Sequence, residues 1–249
     1  MRIGRVVRGV VAAVSAAMLL PAVAAPASAT VPGPVRVAAI EPGEGALVGV
    51  GHPVVVRFTA PVADRAAAQR SLTVSAPVPV SGRFEWRSEQ VMEFHPEGFW
   101  PAHSEISVGV GGVRTSFGTA AKVLGVADID AHTFTVSIDD EVVRTMPASM
   151  GKPKFPTPTG SFTVLAKERQ VVMDSRTIGI PLDDPEGYRL TVDYAVRITW
   201  GGVYIHSAPW SVGSQGYANV SHGCINLSPE NAAWYFERVR VGDPVIVRP

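Results

Sequence analysis

Cysteine is nearly absent from this chain: Cys224 is the only one in 249 residues. A single thiol closes no internal disulfide, so no cystine framework holds the fold. No CxxC or HExxH spacing occurs, and the six histidines are scattered, which excludes the usual zinc motifs. Net charge is lacking too. With 22 basic and 22 acidic side chains there is no electrostatic reason to expect nucleic acid as a partner. Only one apolar run, near the N-terminus, approaches the length that crosses a bilayer. No internal repeat is present, and no low-complexity segment beyond that run.

The N-terminal run reads as an address. Arg2, Arg5 and Arg8 precede an almost wholly apolar stretch from Val10 to Val23, and Ala27-Ser28-Ala29 matches the small-x-small cleavage pattern. This predicts a signal peptide over residues 1–29 and an exported protein, in the periplasm or cell wall on the outer side of the cytoplasmic membrane. The alternative is an uncleaved anchor, the one route to membrane contact. Against it, the run is shorter than the about 20 apolar residues that normally span, and Pro21 and Pro26 interrupt or follow it. Removing residues 1–29 takes away three arginines and no acid, leaving 19 basic against 22 acidic side chains, a net charge of −3. The remaining chain exceeds the common domain size, which predicts two domains, each with its own core.

The composition predicts a mainly β protein. In residues 30–118, Val54, Val56 and Phe58 alternate with polar or exposed positions, as do Leu72 and Val74, and then Ile106, Val108 and Val110. Short period-2 runs punctuated by glycine and proline predict a β-sandwich, with one short helix over Ala63–Arg70. Trp86 and Trp100 read as core or rim aromatics, with a sugar-binding platform as the alternative. Small residues over Gly111–Ala121 suggest a linker. In residues 119–249, Phe134, Val136 and Ile138 form a strand that turns at Asp139-Asp140. Gly151–Gly160 is too rich in proline for a ladder. Tyr194, Val196 and Ile198 alternate, and Val203–Ile205 delivers His206 at a strand end. Ser228-Pro229-Glu230 is a helix start, with Ala232, Tyr235, Phe236 and Val239 as the apolar face, and Val245–Val247 closes as a strand.

The chemistry concentrates in Ser221-His222-Gly223-Cys224-Ile225-Asn226, with His206 18 positions before the cysteine. A lone cysteine is by default a small buried hydrophobe. Here glycine, serine, histidine and asparagine surround it, and an exported free thiol suggests a reactive group. The thiolate is the attacking species, and a neighbouring imidazolium lowers a thiol's pKa from about 8.5. His206 is the better candidate base, being far enough in sequence to approach from a neighbouring strand. Gly223 removes bulk beside the nucleophile, and its N–H with that of Cys224 can stabilise an oxyanion, a donor being worth about 2.7–4 kcal/mol in the transition state. Asn226 can hold the loop or donate to a substrate carbonyl. A zinc site of His206, His222 and Cys224 is the competing reading, with a spacing that fits no usual motif. Asn219-Val220-Ser221 and Asn226-Leu227-Ser228 match the glycosylation triplet but bracket the nucleophile, where a glycan blocks access.

These residues resemble the L,D-transpeptidases with the YkuD catalytic domain. His206 followed by the Ser-His-Gly-Cys-x-Asn run carries the likeness. Gly151-Lys152, Thr157–Gly160, Val172-Met173-Asp174, Gly187-Tyr188-Arg189, His206–Trp210 and Ser228–Trp234 extend it. Residues 30–118 resemble the immunoglobulin-like modules that precede this domain in actinobacterial members. The resemblance implies a cysteine acyltransferase that acts on peptidoglycan stem peptides without a cofactor or metal. Cys224 forms a thioester with release of D-alanine, and a diamino-acid amine of an acceptor stem completes a 3→3 crosslink. It implies His206 as base, oriented by Ser207, with His222, Gly223 and Cys224 around the oxyanion. Met173, Tyr188, Trp210, Ser221 and Asn226 then bind substrate, and carbapenem β-lactams acylate Cys224. Ile178 and Trp200 stand where a tyrosine is expected, which puts selectivity in doubt rather than reaction class. An L,D-carboxypeptidase using water as acceptor and a non-catalytic wall-binding protein are the alternatives.

Overall fold

The computed structural model describes residues 36–249. The expected signal peptide or anchor lies outside the described residues. The first group of elements is β1 (Val37–Glu41), β2 (Leu47–Val48), β3 (Val54–Phe58), α1 (Arg65–Arg70), β4 (Thr73–Ser75), β5 (Gly82–Trp86), β6 (Val91–Pro96), β7 (Glu105–Val110) and β8 (Val113–Thr119). Two four-stranded sheets, ordered β1-β3-β6-β5 and β2-β8-β7-β4, face each other as a sandwich. Val54, Val56 and Phe58 from one meet Ile106, Val108 and Val110 from the other in a single core. That core is the inward half of the period-2 pattern. Trp100 lies between Phe94 and Phe117, with ring centroids 5.9 and 5.8 Å away. Its indole N–H donates to His52 O at 2.7 Å, which permits full burial.

The expected linker over Gly111–Ala121 is corrected by the pairing of β7 with β8 across Gly111-Gly112. Small residues there serve a hairpin turn, both glycines having positive φ, and Phe117 is core. The crossing to the second group is only Ala120 to Lys122.

The second group is β9 (Val123–Asp128), β10 (Thr133–Ile138), β11 (Glu141–Pro147), β12 (Gly160–Thr163), β13 (Ala166–Asp174), β14 (Arg189–Arg197), β15 (Tyr204–Ser207), β16 (Ile225–Leu227), α2 (Pro229–Arg238) and β17 (Pro244–Arg248). One sheet runs β11-β10-β9-β17-β12 and the other β13-β14-β15-β16. Asp139 and Asp140 make the turn between β10 and β11 with φ of 49° and 70°. Those values suit a two-residue hairpin whose twist matches its strands. Ser228 caps α2, its side chain accepting from Asn231 N–H, with Pro229 in the first turn. Helix α2 packs on β14, β15 and β16, and Tyr235 meets Phe134 edge-on at 4.9 Å.

The described residues, 36–249, fall within one compact unit. At the joint the backbones themselves hydrogen-bond: Gly49 N–H to Val241 O at 2.9 Å and Gly51 N–H to Gly242 O at 2.8 Å. A Cβ on Gly49 would stand 2.2 Å from Asp243 N, so only glycine permits this approach. Asp243 is fully buried beside it. Its Oδ2 accepts Arg240 N–H at 2.7 Å. The amides of Val50 and Val123 face the carboxyl without completing a bond to Oδ1. Burial pushes this carboxyl up to about 7.

Candidate active site

Strands β15 and β16 run side by side in parallel, Ile205 opposite Ile225 and His206 opposite Asn226. Successive side chains leave a strand on opposite faces. Ile205, Ile225 and Leu227 therefore enter the core, while His206 and Asn226, with Cys224 just before β16, line a cleft of ≈ 330 Å³ on the other face. That size falls within the range of small-molecule sites. Met173 at the end of β13, Tyr188 before β14, and Trp210, Ser221 and His222 complete its expected lining. Ser207 and Gly223 stand behind the cleft and act through their backbones.

His206 is buried, and its Nδ1–H donates to Ser207 O at 2.8 Å. That bond fixes the tautomer that leaves Nε2 as an acceptor. Trp210 lies with its ring centroid 6.0 Å from the imidazole and is 56% exposed, so it forms the rim. The nucleophile loop is held from within. Ser221 Oγ donates to Cys224 O at 2.6 Å and accepts Gly223 N–H at 3.0 Å. The expectation that the Gly223 N–H faces an oxyanion is thereby revised: this N–H is already committed to Ser221. Gly223 has φ +114°, a conformation a side chain would strain. Thr157 Oγ1 donates to Gly223 O at 2.9 Å and accepts Gly151 N–H at 2.8 Å. Asn226 Nδ2 donates to Ser211 Oγ at 3.2 Å, bracing the loop that carries Trp210.

The resting charge state differs from the expected thiolate beside an imidazolium. Burial pushes the Cys224 thiol up to about 12 and the His206 imidazole down to about 4. Each charged form loses water that nothing nearby replaces. The pair is neutral, and Cys224 Sγ–H contacts Gly202 O at 3.7 Å. The free protein thus holds a thiol and a neutral base acceptor rather than an ion pair.

His222 takes a different place from His206. Its Nε2–H meets Glu186 Oε2 at 2.9 Å, and its ring lies 4.9 Å from Phe155 and 5.0 Å from Tyr188. The three groups of the zinc reading are not a metal-binding cluster among the described residues: the one candidate cluster is Glu85, Glu93 and His95 on the sandwich. Arg87 already bridges its two carboxylates, at 2.6 and 3.0 Å. Ile178 and Trp200 are both exposed, Trp200 at the turn between β14 and β15. Thr157, Ser211, Glu186 and Lys152 all support the site, yet they lie in loops where no periodicity marks them. For Lys152 and Thr157 the signal in the sequence is the family resemblance of Gly151-Lys152 and Thr157–Gly160, which marks the loop but not what either side chain meets.

Comparison with known proteins agrees with this geometry. Residues 122–247 match the L,D-transpeptidase catalytic domain, YkuD, and residues 24–112 match a bacterial Ig domain. The chain is 62% identical over 211 residues to L,D-transpeptidase 1 of Mycobacterium tuberculosis, covering 85% of this chain and 84% of that protein. It is similar to a solved L,D-transpeptidase from Mycobacterium smegmatis, with 71% identity and a TM-score of 0.83 over 87% of this chain and all of that one (100%). A structure of LD transpeptidase LdtMt1 in complex with imipenem is 61% identical, with a TM-score of 0.81 over 86% and 99% of the two chains. With the cleft, the strand-borne histidine and the stapled cysteine loop, these matches make the chain a member of the L,D-transpeptidase (YkuD) family, carried behind a bacterial immunoglobulin-like domain.

Proposed function

We propose that this protein forms 3→3 crosslinks in peptidoglycan outside the cytoplasmic membrane, with Cys224 as nucleophile and His206 as base. The single observation that carries the reading is the pairing of β15 with β16, which turns both side chains into one cleft. Nε2 of the neutral His206 takes the thiol proton as Sγ attacks the carbonyl of the third stem residue, forming a C–S bond. The proton passes to the amine of D-alanine as the C–N bond breaks, leaving a thioester. The amine of the acceptor's diamino acid then attacks the thioester, its proton goes to His206, and the C–S bond breaks to restore the thiol. The Cys224 N–H is the oxyanion donor within the nucleophile itself, while Gly223 reaches it only by exchanging its bond to Ser221.

Ser207 orients the imidazole through its carbonyl. Met173, Tyr188, Trp210, Ser221 and Asn226 hold the donor stem. A strained β-lactam carbonyl presents the same electrophile, so carbapenems acylate Cys224. Residues 30–118 and 119–249 serve as carrier and catalytic units. Mass spectrometry of the protein incubated with imipenem and, separately, with a disaccharide-tetrapeptide tests this reading. An adduct on Cys224 and a crosslinked dimer are expected. D-alanine release without dimer would make it a carboxypeptidase, and no adduct on Cys224 would overturn the assignment.

A further inference from the structure

The segment between β13 and β14, residues 175–188, brings Tyr188 into the cleft lining and so forms a lid at its edge, held by two kinds of contact. At the base the buried Ser175 fastens the segment through both its backbone and its hydroxyl. Ser175 N–H donates to Tyr188 O at 2.9 Å, Tyr188 N–H to Ser175 Oγ at 3.0 Å, and Ser175 Oγ–H to Ile180 O at 2.9 Å. Two residues before Tyr188, one side chain ties the segment outward. Glu186 Oε2 accepts from His222 Nε2 at 2.9 Å and pairs with Lys152 Nζ. Lys152 comes from the loop before β12, and its backbone N–H donates to Ser221 O at 3.0 Å. His222 lies two residues before the nucleophile, with its ring between Phe155 and Tyr188. One carboxylate thus joins three segments, two of which reach the cleft lining through Tyr188 and His222.

We infer that Glu186 is a positioning residue: its carboxylate latches the lid onto His222 and Lys152 and so holds the Tyr188 ring against the bound donor stem. The inference rests on the transpeptidase reading of the same cleft. The chemistry suits a latch. Both partners offer N–H donors to a carboxylate, which makes short, directional bonds. Lys152 first, and His222 after it, hold the Glu186 carboxyl below the usual carboxylate range, so it stays ionised around neutral pH. The three side chains are 25%, 27% and 20% exposed for Lys152, Glu186 and His222. Ion pairs this open to water contribute little and exchange readily. The contact biases the lid towards closure and still lets it open for substrate, as gating segments must.

The test uses the full chain, the donor disaccharide-tetrapeptide, and hydrogen exchange of backbone amides 176–188. Glu186→Ala is expected to speed lid exchange and raise the donor KM about threefold with kcat essentially unchanged, the pattern of lost binding rather than lost chemistry. Glu186→Gln keeps an acceptor for His222 but not the charge facing Lys152, and is expected to fall between. Unchanged lid exchange and KM in Glu186→Ala would overturn the latch. So would a fall in kcat accompanied by a lower urea midpoint, since that marks a structural role. Wild-type protein that forms neither adduct nor crosslink would count against the transpeptidase reading instead, and lid exchange in the two variants would still decide the latch.

Discussion

The sheets of the two domains treat their faces differently. In the sandwich, strands such as β7 bury every second residue, and the other face meets water. In the second domain, all four residues of β15 and all three of β16 are buried. One face there is hydrocarbon and the other is chemistry, because α2 and the first sheet cover one side while Tyr188, Met173 and the loop of Trp210 line the cleft on the other. A strand buried on both faces loses the alternation of polarity but keeps the alternation of direction. His206 is thereby placed on a strand held by ladder bonds, and Cys224 in a loop stapled by Ser221 at the mouth of the neighbouring strand.

Substitutions at adjacent positions that face opposite ways sharpen this contrast most. Cys224→Ala is expected to abolish crosslinking and the imipenem adduct, a loss of at least about 10³-fold, with a urea midpoint close to wild type. Ile225→Ala, the next residue on the core face, is expected to cost about 2–5 kcal/mol of stability in urea unfolding. If both substitutions gave the same phenotype, the division of faces would be wrong. In the sandwich, Trp100→Ala removes a ring between two aromatics and leaves His52 O without its indole donor. A loss of about 3–5 kcal/mol is expected, with Cys224 still acylated below the unfolding transition.

Acidity separates the regions more finely. With His206 down to about 4 and Cys224 up to about 12, the neutral pair persists between those values. The second-order rate of Cys224 acylation by imipenem should therefore be level through neutral pH and fall only as pH approaches about 4, where the base becomes protonated. An acid limb near 6.5, the ordinary imidazole value, would contradict the buried neutral pair. The joint responds in its own range. The Asp243 carboxyl is raised to about 7 in the folded protein from 3.8. The folded state therefore holds a proton that the unfolded chain releases, and stability from this group declines as pH rises from about 4 to about 7. The slope is at most about 1.4 kcal/mol per pH unit. Asp243→Asn should flatten that decline in urea midpoints, and an unchanged slope would remove Asp243 from the joint's account.

Much of this could be read along the chain. The sandwich strands, the Asp139-Asp140 turn, α2 with its serine cap and the closing strand all declare themselves through period, cap and turn chemistry, which act over a few residues. The linker was misread for the same reason: Gly111-Gly112 signals a turn equally well inside a hairpin and between domains. The site divides likewise. Cys224 and His206 stand out by rarity and by the polar, glycine-bearing run around the thiol. Thr157, Ser211 and Glu186 do not, because a threonine or glutamate in a loop carries no local mark of what it will meet.

What the amino-acid order determines here is short-range: which segments extend, where they turn, which residue types can attack a carbonyl. The fold alone decided that a parallel pairing would put His206 and Cys224 on one face, that burial would leave both uncharged, and that His222 would bond to Glu186. Those outcomes depend on contacts between residues far apart in sequence and on the removal of water, neither of which any local pattern encodes.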